Sequence, residues 1–337
     1  MKSVMITHAD EPIGRRIVKT LFHEHEVETI FAVGAGQPPR TFDTFLASSE
    51  PRVYYARVDL AKHRPMSDLF RSSTFRSARI DTVIHLPRHG APAGESAPIV
   101  SGLPERTAEA RLVLQHCLED TSIDKLIALG SAFVYQLPPG NANRLDEESP
   151  LDLDPNVPAE IRSWIDCDMI FHGEVHNEHL RVVLLRVPTV VASGGFVYLS
   201  PALAGGPGKR FRVLGYDPIC ALVSDKDVAR AVQAAIQVEH GGIYNIAGNE
   251  AVPLSMLARW TGQPSIPLPG SVLRWLATGS RLTGGYAERS ALAGPQLRYG
   301  FTLDTTRAQH ELGFRATNRI GLARAGDGTL RVETAAV

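Results

Sequence analysis

The chain has little to offer several broad function classes. It carries only three cysteines in 337 residues, Cys117, Cys167 and Cys220, with no C-x-x-C pair. That argues against a zinc knuckle or redox dithiol and for reduced, buried thiols. No apolar run is long enough for a signal peptide or a membrane span, so the expectation is a cytoplasmic protein without membrane contact. Net charge is also lacking: 35 basic residues against 36 acidic ones leave a formal charge of -1, and no bulk field draws the chain to nucleic acid. A small-molecule ligand is the expected partner. There are no internal repeats, no charge runs and no G-x-S-x-G elbow, and the last absence counts against a serine hydrolase built on Ser131.

What is present is an alternation of strands and helices. Short apolar, β-branched runs fall at 4–7, 27–33, 52–58, 82–86, 125–129, 181–186 and 242–246, the texture of parallel strands buried on both faces. Between them lie helical patterns: one from Pro12 with Ile13, Ile17, Leu21 and Phe22 on one face, and others over 106–118, 161–178 and 224–238. This order predicts a Rossmann-type, doubly wound parallel sheet with ligands at the carboxyl ends of its strands. A smaller, interleaved C-terminal substrate domain is expected from the Gly- and Pro-rich texture after residue 190. The predicted division is 1–190 with 213–248 for the Rossmann-type domain, 191–212 and 249–324 for the smaller one, and a loose tail over 325–337.

A series of landmarks then appears in order: Thr7-His8-Ala9-Asp10-Glu11-Pro12-Ile13-Gly14, Asp59-Leu60, Ile84-His85-Leu86, Gly130-Ser131-Ala132-Phe133-Val134-Tyr135 and Leu185-Arg186-Val187-Pro188, followed by Val223-Ser224-Asp225-Lys226-Asp227-Val228-Ala229, Tyr244-Asn245-Ile246-Ala247-Gly248 and Leu303-Asp304-Thr305-Thr306-Arg307. In that order they resemble the extended short-chain dehydrogenase/reductases, the NAD-dependent epimerase/dehydratase type. The resemblance implies NAD(P) as cofactor, Gly14, Asp59 and Leu60 as its remaining contacts, a Ser/Tyr/Lys catalytic set, and a homodimer formed through the helices over 106–118 and 161–178.

The departures from that pattern bear on function. In such a turn the first glycine permits a tight bend, the second lets backbone approach the pyrophosphate, and the third lets helix and strand pack. Here His8 and Glu11 replace the first two and only Gly14 survives. The second strand ends at Val33-Gly34-Ala35-Gly36, with no acid for the adenosine ribose and no adjacent arginine for a 2′-phosphate. Counting back from Leu185-Arg186, the Y-x-x-x-K window reads Trp164-Ile165-Asp166-Cys167-Asp168, and no tyrosine occurs between Tyr135 and Tyr198. An indole exchanges no phenolic proton, and an aspartate inverts the charge that would lower a tyrosine pKa.

The expectation is therefore a degenerate member that holds no NAD(P) or holds it weakly, non-catalytic or repurposed for ligand binding or regulation. Two alternatives stay open. One is an NAD(P)-dependent epimerase, dehydratase or reductase with substitute acids among Asp166, Asp168 and His172; the other is a cofactor-independent isomerase or cyclase using Asp168 and His172 beside Ser131. His172, His176 and His179 fall at i, i+4, i+7 and would form one imidazole stripe on a helix, read as a surface stripe with no metal. His85 and His89 flank the mouth of the predicted cleft, where they fill it or meet a different anion.

Overall fold

The computed structural model describes residues 1–46, 52–88, 103–137, 144–155, 157, 159–192, 195–198, 210–260, 265–273, 275, 299–324 and 330–336. His89 and the glycine-rich stretch 204–208 lie outside them. In chain order the main elements are β1 (Lys2–Ile6), α1 (Pro12–Phe22), β2 (Val27–Gly34), β3 (Val53–Arg57), α2 (His63–Arg71), β4 (Thr82–His85), α3 (Leu103–Glu119), β5 (Lys125–Ser131), α4 (Ala159–His172), β6 (Arg181–Val187), α5 (Asp225–Gln237) and β7 (Gly242–Asn245). The seven strands form one sheet in the order β7-β6-β5-β4-β1-β2-β3, parallel throughout. This is the Rossmann-type, doubly wound architecture expected from the alternation.

Strand composition explains the layering. Val4, Ile6, Ile30, Ala32, Ile84, Ile127, Val183 and Leu185 point to one face, where α1 and α5 cover them. Met5, Phe31, Val33, Val83, Leu126, Ala128, Val182 and Leu184 point to the other, under α2 and α3. Successive residues serve opposite faces because side chains alternate across a pleated strand. Helix α1 starts at Pro12 and buries Ile13, Ile17, Val18 and Leu21. Gly14 is the packing glycine the sequence suggests: a Cβ there would lie 2.3 Å from His8 O and 2.6 Å from Ala9 Cα. Sheet order reverses at β1, whose neighbours are β2 and β4, and the carboxyl ends of these strands frame the crevice in which such folds bind ligands.

Three sequence expectations differ from the structure. The helix predicted over 161–178 stops at His172, because Gly173 and the turn after it cannot prolong an α-helix cheaply; His176 and His179 therefore leave the stripe. The loops expected over 192–212 contain strand, with Thr189–Ala192 pairing antiparallel to Gly195–Tyr198 and parallel to Ile219–Ser224. The tail expected to be loose supplies Leu330–Ala336, which pairs antiparallel with Asn318–Arg324. Its alternating Val332 and Thr334 suit a strand once a partner exists. The buried carboxylate of Asp227 ties this region to α5, accepting from Thr317 N at 3.0 Å, Asn318 N at 3.2 Å and Asn318 Nδ2 at 2.8 Å.

Candidate functional site

The turn from β1 to α1 keeps the bend of a dinucleotide loop but fills it. His8 adopts φ +47°, the left-handed conformation a glycine holds at no cost and another residue at roughly 1–2 kcal/mol. Its imidazole is buried, with Nε2 2.9 Å from Glu109 Oε2 on α3. Glu109 is fully buried and its other oxygen accepts from Arg88, 3.1 Å from Nε and 2.9 Å from Nη2. Arg88 extends the chain of charges to Glu105 at 3.2 Å and to Asp59 at 3.4 Å, and Asp59 also meets Lys62 at 3.1 Å. Leu60 beside it is buried in the core. Glu11 stands at the N-cap of α1, its Oε1 4.0 Å from His8 Nδ1.

Protonation follows from these contacts. Burial opposes charge on His8, but the hydrogen bond and charge of Glu109, with Glu11 adding to them, outweigh it and raise the imidazole pKa. Burial likewise opposes the Glu109 carboxylate, but its hydrogen bond and charge interaction with His8, together with the Arg88 charge, overcome it, so Glu109 lies below the usual carboxylate range. The carboxylates Glu11, Asp59, Glu105 and Glu109 thus gather around His8, Lys62 and Arg88 at the mouth of the turn. A diphosphate seated there would bring further negative charge up to these carboxylates. Each such pair at about 4 Å costs about 4 kcal/mol at an effective dielectric of about 20.

Next to this cluster, Thr7 bridges β1 to β4. Its Oγ1 accepts from Leu86 N at 2.8 Å and faces Leu86 O at 3.2 Å and His85 Nδ1 at 3.1 Å. His85 is wholly buried, and burial drops its pKa to about 4, so the ring is neutral near pH 7. It packs against Phe171 of α4 at a centroid distance of 5.5 Å, as a filler of the crevice wall.

The end of β2 overturns an expectation. No acid follows Val33 in sequence, yet Asp10 reaches across from the β1–α1 turn and accepts from Gly36 N at 2.9 Å. A Cβ at Gly34 would lie 2.5 Å from the Asp10 carboxyl carbon and 2.4 Å from Tyr55 Oη, so the glycine makes room for both. Tyr55 donates to Gly36 O at 2.8 Å, and Arg57 Nε to Ala35 O at 3.1 Å. A carboxylate and an arginine therefore do border this strand end. They come from the turn and from β3, whose Arg57 pairs in register with Gly34.

The window of the catalytic dyad is buried and committed to structure. Trp164 lies 6% exposed beneath the buried guanidinium of Arg106, 4.2 Å from ring centre to Cζ, a cation–π contact between α3 and α4. Arg106 also donates to Arg88 O at 3.1 Å and to Ser163 Oγ at 3.4 Å. Asp168 forms a bidentate pair with Arg186 of β6, both bonds 2.8 Å, and the two side chains are almost wholly buried. Arg186 Nη1 donates further to Tyr135 Oη at 3.0 Å and Glu147 O at 3.3 Å. Tyr135 in turn donates to Asn245 Oδ1 at 2.7 Å, and burial pushes its pKa up to about 12, which keeps its proton in place. Ser131 is buried, and its Oγ accepts from Phe133 N at 3.2 Å.

Of the candidate catalytic residues, the fold brings Asp168 and His172 together, His172 Nδ1 lying 4.0 Å from Asp168 Oδ1 and its side chain half exposed. His176 and His179 go elsewhere. With His240 they line a cleft of about 600 Å³ at the amino ends of β6 and β7, the far end of the sheet from the crevice. Among the described residues no cluster of three or more His, Cys, Asp or Glu has metal-binding geometry, and no helix is long and apolar enough to cross a membrane.

Sequence reasoning missed Glu109, Asp10, Tyr55, Arg57 and Arg106. A signal for two of them exists: Arg106 and Glu109 share the helical stripe of Ala110, Val113 and Cys117, so two charges interrupt a buried face. Nothing local marks the other three.

Comparison with solved structures places this arrangement. The chain superposes on dTDP-glucose 4,6-dehydratase from Streptomyces venezuelae, solved with NAD, at a TM-score of 0.64 and 15% identity over 96% of this chain and 94% of that one. The fold is that of the extended short-chain dehydrogenase/reductases. The dTDP-glucose 4,6-dehydratase of Bacillus anthracis in complex with NAD (TM-score 0.62, 14% identity, 94% and 92% covered) and UDP-glucuronic acid 4-epimerase from Bacillus cereus with NAD (0.61, 17%, 94% of each) share it. In sequence, the chain matches uncharacterised proteins of Mycobacterium tuberculosis and Mycobacterium bovis at 23% identity over 321 residues, 93% of this chain and 80% of theirs. No family model matches. The chain thus shares the fold of these enzymes, with a turn and a helix whose residues differ from the pattern its sequence resembles.

Proposed function

We propose that this protein is a non-catalytic or repurposed member built on the extended short-chain dehydrogenase scaffold, a ligand-binding or regulatory protein that holds NAD(P) weakly or not at all. The observation that carries this reading is the buried His8–Glu109 pair, joined to the part-buried Arg88, across the dinucleotide turn. A diphosphate seated there has to displace Arg88 from three carboxylates or accept their repulsion. The dyad window agrees with it, since Trp164 cannot trade a proton and Asp168 neutralises Arg186. Calorimetric titration with NAD+, NADH and NADPH tests the reading. No saturable heat at millimolar nucleotide is expected, and micromolar binding overturns it.

One observation favours a second reading, an NAD(P)-dependent epimerase, dehydratase or reductase with substitute acids. Asp10, Tyr55 and Arg57 put a carboxylate, a phenol and a guanidinium at the strand end where the fold receives an adenosine ribose, and the structural relatives were solved with NAD. The same titration separates the two readings. A cofactor-independent isomerase or cyclase centred on Asp168 and His172 requires Asp168 to leave Arg186 during turnover. As for assembly, we propose a homodimer through α3 and α4, on which Leu118 and Met169 are exposed apolar residues; light scattering at the monomer mass would refute it.

A further inference from the structure

At the amino ends of β4 and β5, opposite the crevice, lies an open cleft of about 670 Å³ between the segment that follows α2 and the end of α3. Three arginines line it, Arg71, Arg76 and Arg79, all exposed. Among the described residues none of their guanidinium groups makes a hydrogen bond or an ion pair. The two acids in the lining are otherwise engaged. Asp120 Oδ1 accepts from Ser122 N at 3.0 Å and Ser122 Oγ at 2.7 Å, closing a local turn. Glu119 Oε1 accepts from Gln115 Nε2 at 2.7 Å, and its Oε2 lies 3.7 Å from His116 Nδ1. The cleft therefore presents three arginines against two carboxylates, a net positive lining with the guanidinium groups free to meet an anion.

The floor beneath them is rigid. Phe70 stacks on His116 at 4.7 Å between ring centres, and Phe75 packs on Phe70 at 4.8 Å; all three are buried. His116 is further held by Ser67 Oγ at 3.3 Å. Above this floor Arg79 stands at φ +49°, just past the C-cap Ala78 of the helix Ser73–Ser77, where a left-handed residue commonly ends a helix. A glycine or asparagine would occupy that left-handed position with less strain, and the chain keeps an arginine there.

We propose that this cleft is a binding site for a small, multiply charged oxyanion, a phosphorylated or polycarboxylate compound, gripped by Arg71, Arg76 and Arg79. Forked guanidinium groups suit both kinds of headgroup. The site is separate from the dinucleotide crevice, so it stands or falls independently of whether NAD(P) binds.

The test uses the full-length chain with inorganic pyrophosphate and citrate as probes, followed by calorimetry at low salt. Saturable binding of either supports the site, and the tighter of the two names the headgroup. Arg79→Gly removes one cation while relieving the backbone, so it is expected to bind about tenfold more weakly with a Tm equal to or above that of the wild type. Arg71→Gln/Arg76→Gln is expected to abolish saturation. Absence of saturable binding of both probes up to millimolar concentration overturns the proposal, as does unchanged affinity in Arg79→Gly.

Discussion

Replacing Asp168 with asparagine separates a structural role from a catalytic one. In the folded chain both Asp168 oxygens lie 2.8 Å from Arg186 nitrogens, and both residues are sealed from water. The Asp168→Asn substitution would leave a guanidinium charge in the core with two neutral acceptors, Tyr135 Oη and Glu147 O, on its remaining edge. Breaking one side of such a pair costs about 3–5 kcal/mol. Against a total stability of about 5–15 kcal/mol that is a large fraction. With 337 residues and about 2.1 cal/mol/K of unfolding entropy per residue, 4 kcal/mol corresponds to a Tm lower by roughly 6 °C. Urea denaturation followed by tryptophan fluorescence and calorimetric melting both read this. Asp168→Leu combined with Arg186→Met is expected to recover part of the loss, since it removes both charges. It will not recover all, because Tyr135 and Glu147 lose a donor. A change below about 1 kcal/mol in Asp168→Asn would refute the structural assignment and return Asp168 to the list of groups available for proton transfer.

Other consequences are open to measurement. His85 has its folded pKa depressed to about 4 from about 6.5 unfolded, so its contribution to stability is complete above pH 6.5 and is lost as pH falls toward 4. The 2.5-unit difference is worth up to about 3 kcal/mol; His85→Leu should flatten that acid limb in urea melts, and an unchanged limb would show that other groups produce it. His8 has the opposite sign: its folded pKa is raised, so its contribution is complete below the unfolded value and is lost as pH rises through the folded one. Stability of His8→Gln relative to wild type should therefore compare best at alkaline pH. Gly14→Ala drives a Cβ into His8 O and Ala9 Cα, which should cost about 3 kcal/mol or more, with near-native stability as the contrary result. Opening the turn by His8→Gly, Glu11→Gly, Arg88→Ala and Glu109→Ala together should raise NAD+ affinity about tenfold or more in calorimetry, and no gain would mean that the cluster is not what bars the nucleotide.

The fold was legible because parallel strands advertise themselves. Runs such as Lys125–Ser131 and Arg181–Val187 are apolar on both faces, and their spacing leaves room only for crossover helices. Departures from the resembled pattern were legible too, since Trp164, Asp168, His8 and Glu11 stand at countable distances from landmarks. The contacts around those positions were not. Asp10 meets Gly36 across 26 positions and His8 meets Glu109 across 101; such contacts are set by tertiary packing, and no local period encodes them. The extra turn foreseen for α4 failed for a local reason, Gly173 followed by a turn, where the pattern of histidines at helical spacing outweighed the breaker.

The knot around Glu109 also constrains where this lineage can go. Its carboxylate serves two clients from different parts of the chain, so losing either His8 or Arg88 alone strands a partly unpaired acid in the interior. Replacing these residues one at a time therefore passes through less stable intermediates than replacing them together. Drift at these positions is ratcheted, and descendants are expected to change the residues as a group or not at all.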